Sequence, residues 1–340
     1  MVGGRGARIV RVVLATSFVI MTISGSSSAK IRQPILAGAW YPRDAADLRG
    51  DIERYLAAGG KPDPKVRAVI VPHAGYQFSG PTAGRGFATV RGRTFDRVIL
   101  LGPSHTLGLS GVALPDEDAW RTPLGDQPVD RAAIGTLLER KGFAVLPRAH
   151  AQEHCLEIEL PFLQVALEPG FRILPMVVGQ LDDDLRAEVA AGVRALLDAT
   201  TLVVVSSDFT HFGPNYGYVP FRDSIPDKIR ELDEGAIRAI HRLDPEEFLD
   251  YVDDTGATIC GMQPIGVLLT LFAESGGKVE TLGYARSGDL LDDFSNSVSY
   301  AAVVLKPRIA WTAAPPTPAE QEESEKEQAA PPPEPTPRKT

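Results

Sequence analysis

Three histidines follow apolar runs that are typical of buried strands. They are His73, His105 and His211, and the runs before them cover residues 68–71, 98–101 and 202–206. Short β-branched runs bounded by Gly, Pro and Ser predict buried strands. Open α/β sheets bind ligands at the carboxyl ends of their strands, so strands of one sheet would bring the three imidazoles together. Because imidazole binds metals and exchanges protons near neutral pH, the pattern predicts a functional site.

A cysteine adds a third candidate metal ligand. Cys260 stands before Gly261, where a helix over 261–274 is predicted to begin. A thiol at a helix N-terminus is expected to have a lowered pKa, because the terminal N–H groups stabilise the thiolate. His73, His105 and the Cys260 thiolate would form a three-ligand metal site with open coordination positions. A buried, inert cysteine is the alternative.

Two further residues are candidates for proton transfer. Asp208 precedes His211 by three residues in Ser206-Ser207-Asp208-Phe209-Thr210-His211 and could orient an imidazole or share in proton transfer. We therefore predict Asp208 and His211 as the catalytic pair. A Cys-His-Asp hydrolase built from Cys260, His211 and Asp208 would use the same residues, and spacing does not separate the two chemistries.

The remaining candidates are less specific. His154 opens a predicted helix over 153–167 with Glu157 on a neighbouring helical position, so a capping role and a site role both stay open. Cys155 lies in an apolar helical pattern that is typical of packing. We predict that Cys155 and Cys260 are separate thiols, with a disulfide between them as the alternative in an exported protein.

Strands and helices alternate along the chain. Helices are predicted over residues 44–56, 81–90, 129–141, 153–167, 182–197, 225–241, 245–251 and 261–274, and strands over 68–71, 97–101, 112–114, 143–146, 172–178, 202–206, 278–285 and 298–305. This alternation predicts a single α/β domain with a mixed or mostly parallel central sheet flanked by helices.

The two ends differ in composition from the predicted domain over 30–307. Residues 1–29 combine basic residues, an uncharged apolar stretch and small residues before a cleavage position after Ala29, as in a secretory signal. We therefore expect export to the periplasm or the extracellular space, with membrane attachment only if this segment stays uncleaved as an anchor. Residues 308–340 are rich in Pro and Glu, which predicts a disordered tail.

Charge limits the class of partner. The 340-residue chain has a formal net charge of −9 and no Lys/Arg-rich block. Nucleic-acid binding through a basic face is therefore disfavoured.

Several segments together resemble one known family. They are Ala37-Gly38-Ala39-Trp40-Tyr41-Pro42, Val71-Pro72-His73-Ala74-Gly75-Tyr76, Leu101-Gly102-Pro103-Ser104-His105, Glu153-His154 with Glu157 and Leu160-Pro161-Phe162, Ser206 through Gly213, and Cys260-Gly261 with Pro264-Ile265. In this order they resemble the Memo family, whose microbial members are called AmmeMemoRadiSam system protein B.

The resemblance implies a fold similar to the class III extradiol dioxygenases of the LigB type, which are non-haem iron enzymes. It places His73, His105, Asp208, His211 and Cys260 around one pocket, with iron or copper attributed to the two histidines and the cysteine. The dioxygenase metal set is two histidines and a glutamate. A thiolate in its place suits reduced copper or a redox role.

Three functions follow as hypotheses. The first is a metal-binding redox protein that acts as an oxygen-dependent oxidoreductase with a dioxygenase-like pocket. The second is a non-catalytic binding or scaffold protein that keeps the pocket, and the third is the thiol hydrolase. The expected partners are a small-molecule or peptide ligand in the pocket and, through the resemblance, other AmmeMemoRadiSam system proteins.

Overall fold

A computed structural model of the chain describes residues 29–311 together with Met1. The predicted signal therefore lies almost wholly outside the described residues, as does the predicted tail beyond Trp311. Within the tail's first residues, Trp311 is buried and its ring lies 5.6 Å from that of Phe272. In the part of the chain from 29 to 311, no helix is long and apolar enough to cross a membrane.

The described chain alternates between strands and helices, as predicted. The strands are β1 Ile31–Arg32, β2 Ala68–Val71, β3 Arg97–Pro103, β4 Val112–Leu114, β5 Ala119–Thr122, β6 Gly125–Pro128, β7 Phe143–Val145, β8 Arg172–Val178, β9 Thr201–Ser206, β10 His211–Phe212, β11 Gly277–Arg286 and β12 Ser297–Pro307. The helices are α1 Ala45–Ala57, α2 Tyr76–Ala88, α3 Arg131–Leu138, α4 Pro147–Ala151, α5 Leu160–Ala166, α6 Asp183–Arg194, α7 Ile225–Arg242, α8 Pro245–Thr255, α9 Met262–Ser275 and α10 Ser287–Leu291.

A mixed sheet of nine strands forms the centre of the fold. Its order is β10-β12-β2-β9-β3-β8-β4-β7, with β11 paired to β12. The pairs β2–β9, β9–β3 and β3–β8 are parallel, whereas β12 runs antiparallel to β2. Strands β2 and β9 are buried along their whole length, which explains why their sequences are continuous rather than alternating. This is the predicted single α/β domain, and it is consistent with a Memo or LigB-like fold.

The sheet brings the predicted site residues to one edge. Because β2, β9 and β3 are parallel neighbours, the chain leaves all three at the same end of the sheet. His73 follows β2, Asp208 follows β9, and His105 follows β3. The parallel arrangement is therefore what gathers residues that lie far apart in the sequence.

Helix α2 begins earlier than predicted. The prediction took Pro81 as the first residue, because proline is favoured at the first position of a helix. The helix starts at Tyr76, and Pro81 lies inside it. Tyr76 is buried and its hydroxyl donates to the Ile158 carbonyl oxygen (2.8 Å), so packing of the first turn outweighs the helix-breaking effect of proline.

The helix predicted over 153–167 is also wrong in its first half. Only α5 forms, and Pro161 lies in its first turn. The carboxylate of Glu153 instead accepts from the backbone N–H groups of His154 (3.0 Å) and Cys155 (3.2 Å). These local bonds hold an irregular segment over 153–159, which we call the acidic segment because it contains Glu153, Glu157 and Glu159.

A second, three-stranded sheet was not predicted from the sequence. Strands β5 and β6 form an antiparallel hairpin, and β1 pairs with β5 to give three strands. The hairpin sequence is largely polar, and Arg121 and Asp126 face each other across it (2.6 Å). Such a segment lacks the apolar alternation by which strands are predicted.

Candidate functional site

A cleft of about 580 Å³ opens at the carboxyl ends of the central strands. Its lining combines four histidines and one carboxylate with aromatic side chains. The histidines are His73, His105, His154 and His211, and the carboxylate is that of Asp208. The structure thus gathers both predicted metal-binding histidines and both predicted proton-transfer residues around one cleft. The lining also includes His154, whose role was left open.

His73 is held by a buried network beneath the cleft. It is 2% exposed, and its Nδ1 lies 2.9 Å from Ser206 Oγ. Ser206 Oγ also lies 2.7 Å from the Cys155 carbonyl oxygen and 2.9 Å from Glu159 Oε1. Burial raises the pKa of Glu159 well above its usual range, although the hydrogen bond from Ser206 opposes the shift.

The network fixes the tautomer of His73. The Ser206 hydroxyl has one proton, which it donates to the Cys155 carbonyl oxygen or to Glu159 Oε1. Either bond leaves no Ser206 proton for His73, so the His73 Nδ1–H donates to Ser206 Oγ. Burial, followed by the nearby His105 and His154, lowers the pKa of His73 well below its usual value. Neutral His73 therefore presents the lone pair of Nε2.

His105 is held by a charged partner instead. Glu153 accepts from the His105 backbone N–H through Oε2 (2.7 Å) and from Nδ1 through Oε1 (2.9 Å). Burial alone would raise the pKa of Glu153, but the hydrogen bonds and charge of His105 lower it to about 2. An ionised carboxylate only accepts, so Nδ1 carries the proton and the lone pair is on Nε2.

Cys260 lies directly beside His73. Its Sγ is 3.2 Å from His73 Nε2, and the Asp208 backbone N–H donates to the sulfur (3.2 Å). The predicted lowering of the thiol pKa is wrong. Burial raises the pKa of Cys260 well above its usual value, and the neighbouring Asp208 carboxylate raises it further. Desolvation therefore outweighs the effect of the α9 N-terminus on this sulfur.

The two cysteines are separate thiols, as predicted. Cys155 and Cys260 are both free, so the alternative disulfide does not form. The Cys155 side chain is buried, and its Sγ lies 3.3 Å from the Pro103 carbonyl oxygen. This agrees with the packing role predicted for Cys155.

A glycine lets Cys260 approach the end of β9. The Gly261 N–H donates to Ser207 Oγ (3.1 Å). A Cβ atom at position 261 would lie 2.3 Å from the Cβ of Ser207, which is closer than side chains can pack. A side chain at position 261 would therefore have to displace the end of β9 or the first turn of α9.

His73, His105 and Cys260 have the spacing of a metal-binding set. One potential ligand atom from each residue lies within 4.8 Å of the others. Nitrogen and sulfur ligands lie about 2.0–2.3 Å from a bound metal, so opposite ligands are separated by at most about 4.6 Å. Two imidazoles with free Nε2 lone pairs and one thiol that receives an N–H bond fit a single transition-metal ion.

A second group shares one of these residues. His105, Glu153 and His154 also offer atoms within 4.8 Å of one another. Glu153 already accepts two hydrogen bonds from His105, and its Oε1 lies 3.3 Å from His154 Nδ1. The His154 ring stacks on that of His105 with centroids 4.4 Å apart, which places it at the wall of the cleft. His154 therefore lines the cleft and does not cap a helix.

Asp208 and His211 border the metal-binding set. Asp208 Oδ1 accepts the His73 backbone N–H (2.8 Å), and its Oδ2 lies 3.9 Å from His73 Nε2. Burial raises the pKa of Asp208 to about 6, although the His211 imidazole and backbone N–H groups oppose the shift. A carboxyl group with this pKa can exchange a proton near neutral pH.

The tautomer of His211 is fixed by Thr258. His211 Nδ1 lies 2.9 Å from the Thr258 carbonyl oxygen, which can only accept, so Nδ1 carries the proton. The His211 backbone N–H donates to Thr258 Oγ1 (2.8 Å). Nε2 of His211 is therefore the proton acceptor that this residue can offer to a ligand in the cleft.

The hydrolase arrangement does not form in this structure. It would need His211 beside Cys260 and Asp208 on the other ring nitrogen of His211. The imidazole beside Cys260 is that of His73, and Nδ1 of His211 is bound to Thr258. A raised thiol pKa also disfavours a nucleophilic Cys260.

Sequence reasoning missed the residues that hold the two histidines. Glu153 and Ser206 lie in segments that resemble the Memo family, and Glu159 lies beside one, but no local pattern predicts the roles of these three residues. Glu157 is not a partner of His154. It binds Arg32 (2.5 Å) and accepts from the Tyr41 hydroxyl (2.8 Å), which is a structural role.

Comparisons with known proteins identify the family of the chain. A family model described as Memo-like protein matches residues 32–304. A MEMO1 family protein of Methanopyrus kandleri is 34% identical over 290 residues, which cover 81% of this chain and 99% of that protein. Human Protein MEMO1 is 34% identical over 82% of this chain and 99% of its own length. The Protein memo-1 homolog of Caenorhabditis elegans is 35% identical over 79% of this chain and 81% of its own length. The chain therefore belongs to the Memo family.

Proposed function

We propose that this Memo-family protein binds one iron or copper ion through His73, His105 and Cys260 and acts as an oxygen-dependent oxidoreductase. The observation that carries the proposal is the convergence of the three ligand atoms within 4.8 Å at the edge of a cleft. Both imidazoles are held so that Nε2 is free. Nothing in the site needs to change its tautomer before a metal binds.

A bound iron or copper ion would supply one-electron redox chemistry to a ligand in the cleft. The protein contributes the surroundings. Glu153 and Ser206 orient the two imidazoles, and the Asp208 N–H stabilises negative charge on the Cys260 sulfur. A high thiol pKa is compatible with this role, because a coordinating thiol is deprotonated by the metal itself.

Asp208 and His211 are placed to move protons. Asp208, with a pKa of about 6, can hold or release a proton within the working range of pH. His211 Nε2 can accept one from a ligand, since Nδ1 is held by Thr258. We propose a small molecule or peptide as that ligand, because the cleft also has aromatic walls formed by Trp40, Tyr216 and Tyr300.

Metal content tests this function first. The full chain, purified without a tag, is expected to bind about one iron or copper ion, and His105→Ala should lose most of it. His241→Ala is the matched control, because exposed His241 bonds to Thr281 outside the cleft (2.8 Å). Negligible metal in the parent chain and in His105→Ala alike, after incubation with each ion, would contradict the proposal.

Oxygen uptake separates the oxidoreductase from a binding protein. Metal-loaded chain is expected to consume oxygen with suitable aromatic ligands, and His211→Ala should slow this without removing the metal. A metal-loaded protein that binds such ligands but consumes no oxygen would instead be the binding or scaffold protein.

We also propose export and an association with other AmmeMemoRadiSam system proteins. Export rests on the signal-like sequence of residues 1–29, and the association rests on the family resemblance. The N-terminal residue of protein isolated from its native host should be Lys30 if the signal is cleaved. An intact Met1 on protein recovered from the cytoplasm would contradict export.

A further inference from the structure

A second large groove lies at the opposite end of the sheet from the cleft. It has a volume of about 500 Å³ and is formed where β2 and β11 begin and β12 ends. Because β12 is antiparallel to both β2 and β11, these three positions share one end of the sheet. We call it the basic groove, since its lining contains Lys65, Arg67, Lys278, Lys306 and Arg308.

Most of this positive charge is not neutralised. Lys306 pairs with Asp63 (2.7 Å) and Glu280 (2.7 Å). Among the described side chains, no carboxylate lies within ion-pair distance of Lys65, Arg67, Lys278 or Arg308. The groove therefore concentrates positive charge on a chain whose formal net charge is −9.

Arg67 adds a directional donor to the groove. Its Nη1 donates to the backbone carbonyls of Pro64 (2.7 Å) and Val66 (3.0 Å), which orient the guanidinium group. A guanidinium group has five N–H donors, so others remain for a carboxylate. An oriented arginine among lysines is typical of a surface that binds anionic side chains.

The chain itself carries a complementary segment. Residues 320–327 contain five glutamates and one lysine, and no other stretch of the sequence after the domain is as acidic. The last described residue, Trp311, is buried, and Arg308 and Ala310 just before it line the groove. Nine residues lead from Trp311 to Glu320, and an extended chain of that length reaches about 30 Å.

We propose that the acidic residues 320–327 bind in the basic groove of the same chain. Individual exposed ion pairs are weak, which disfavours a free acidic peptide at low concentration. A tethered segment has a high effective concentration and needs only several weak pairs to stay bound. The association should weaken steeply with salt, because the groups are exposed and screened.

Zero-length carbodiimide cross-linking of the full chain tests this assignment. We expect amide links between Lys65 or Lys278 and glutamates of 320–327, identified by mass spectrometry and lost in 0.5 M NaCl. Lysines outside the groove, Lys141 and Lys228, are the internal controls. Equal linking of the segment to Lys141 and Lys228 would overturn the proposal.

Two charge-reversal variants and a mixture of isotope-labelled chains complete the test. Lys278→Glu should reduce the links to Lys65 at least threefold, whereas Lys141→Glu should leave them unchanged. Mixing ¹⁴N- and ¹⁵N-labelled chains distinguishes the two sources of the segment. Links found mainly between chains of different label would make a second copy the occupant and contradict binding within one chain.

Discussion

His73 and His105 occupy different surroundings within one cleft. His73 is buried, and its partners are the Ser206 hydroxyl and, behind it, the buried Glu159. His105 is partly exposed, and its partner is the ionised Glu153. Both arrangements leave Nε2 free, so one protein uses a neutral and a charged support for the same purpose.

The comparison shows how the acidic segment serves the site. Glu153 and Glu159 lie six residues apart in one irregular stretch, and each supports a different histidine. Glu157 between them binds Arg32 and anchors the segment to the rest of the fold. In this irregular stretch Glu153 accepts from the backbone N–H groups of His105, His154 and Cys155 at once. The departure from helix is therefore part of how the site is built.

The largest expected difference between His73 and His105 is in their contribution to the free energy of unfolding. His73→Ala should lower the free energy of unfolding of metal-free protein by about 3–4 kcal/mol, because it leaves a buried cavity and removes a partner of Ser206. His105→Ala should cost only about 1–2 kcal/mol, since Glu153 keeps its backbone donors. Urea unfolding measures both. Equal losses would show that the surroundings do not differ as described.

The next prediction concerns the charge state of His154, which stacks on the partly exposed His105. Burial, followed by His105, lowers the pKa of His154 to about 4, whereas an unfolded histidine has a value near 6.5. The unfolded chain therefore binds this proton first as the pH falls. The stability contributed by neutral His154 is present above pH 6.5, and about 3 kcal/mol of it should be lost by pH 4.

The pH dependence of unfolding measures this effect. His154→Gln should flatten the fall in the free energy of unfolding of metal-free protein between pH 6.5 and pH 4. His241→Gln, on the exposed end of α7, is the control. An unchanged slope in His154→Gln would mean that His154 is already protonated in the folded protein.

The smallest expected effects are on metal affinity, and they distinguish the carboxyl group of Glu153 from that of Glu159. Glu153→Gln should weaken metal binding about 10–100-fold, because an amide no longer holds Nδ1–H of His105 as a carboxylate does. Glu159→Gln should change it less than about threefold, since an amide oxygen can still accept the hydrogen bond from the Ser206 hydroxyl. Competition with a chromogenic chelator gives both affinities. A larger loss in Glu159→Gln would invert the comparison.

Much of this fold and part of the site could be predicted from the sequence. The β-branched runs before His73, His105 and Asp208 are local signals, and parallel pairing of β2, β9 and β3 then follows from the alternation of strands and helices. The hairpin over β5 and β6 carried no such signal, because its exposed residues are polar.

The chemistry of the site depends on contacts that no local pattern contains. A lowered thiol pKa was expected for Cys260 because it precedes a helix, but burial and Asp208, 52 residues away in sequence, reverse the shift. No sequence pattern indicates the roles of Ser206 and Glu159, because those roles come from packing of β9 against the acidic segment. Spacing along the chain could not reveal that arrangement.

Anomalous diffraction tests the central claim most directly. Crystals of the full chain, loaded separately with iron and with copper, would be measured at each metal edge. We expect one peak about 2.0–2.3 Å from His73 Nε2, His105 Nε2 and Cys260 Sγ. A peak bound instead by Glu153 and His154, or no peak at full loading, would contradict it.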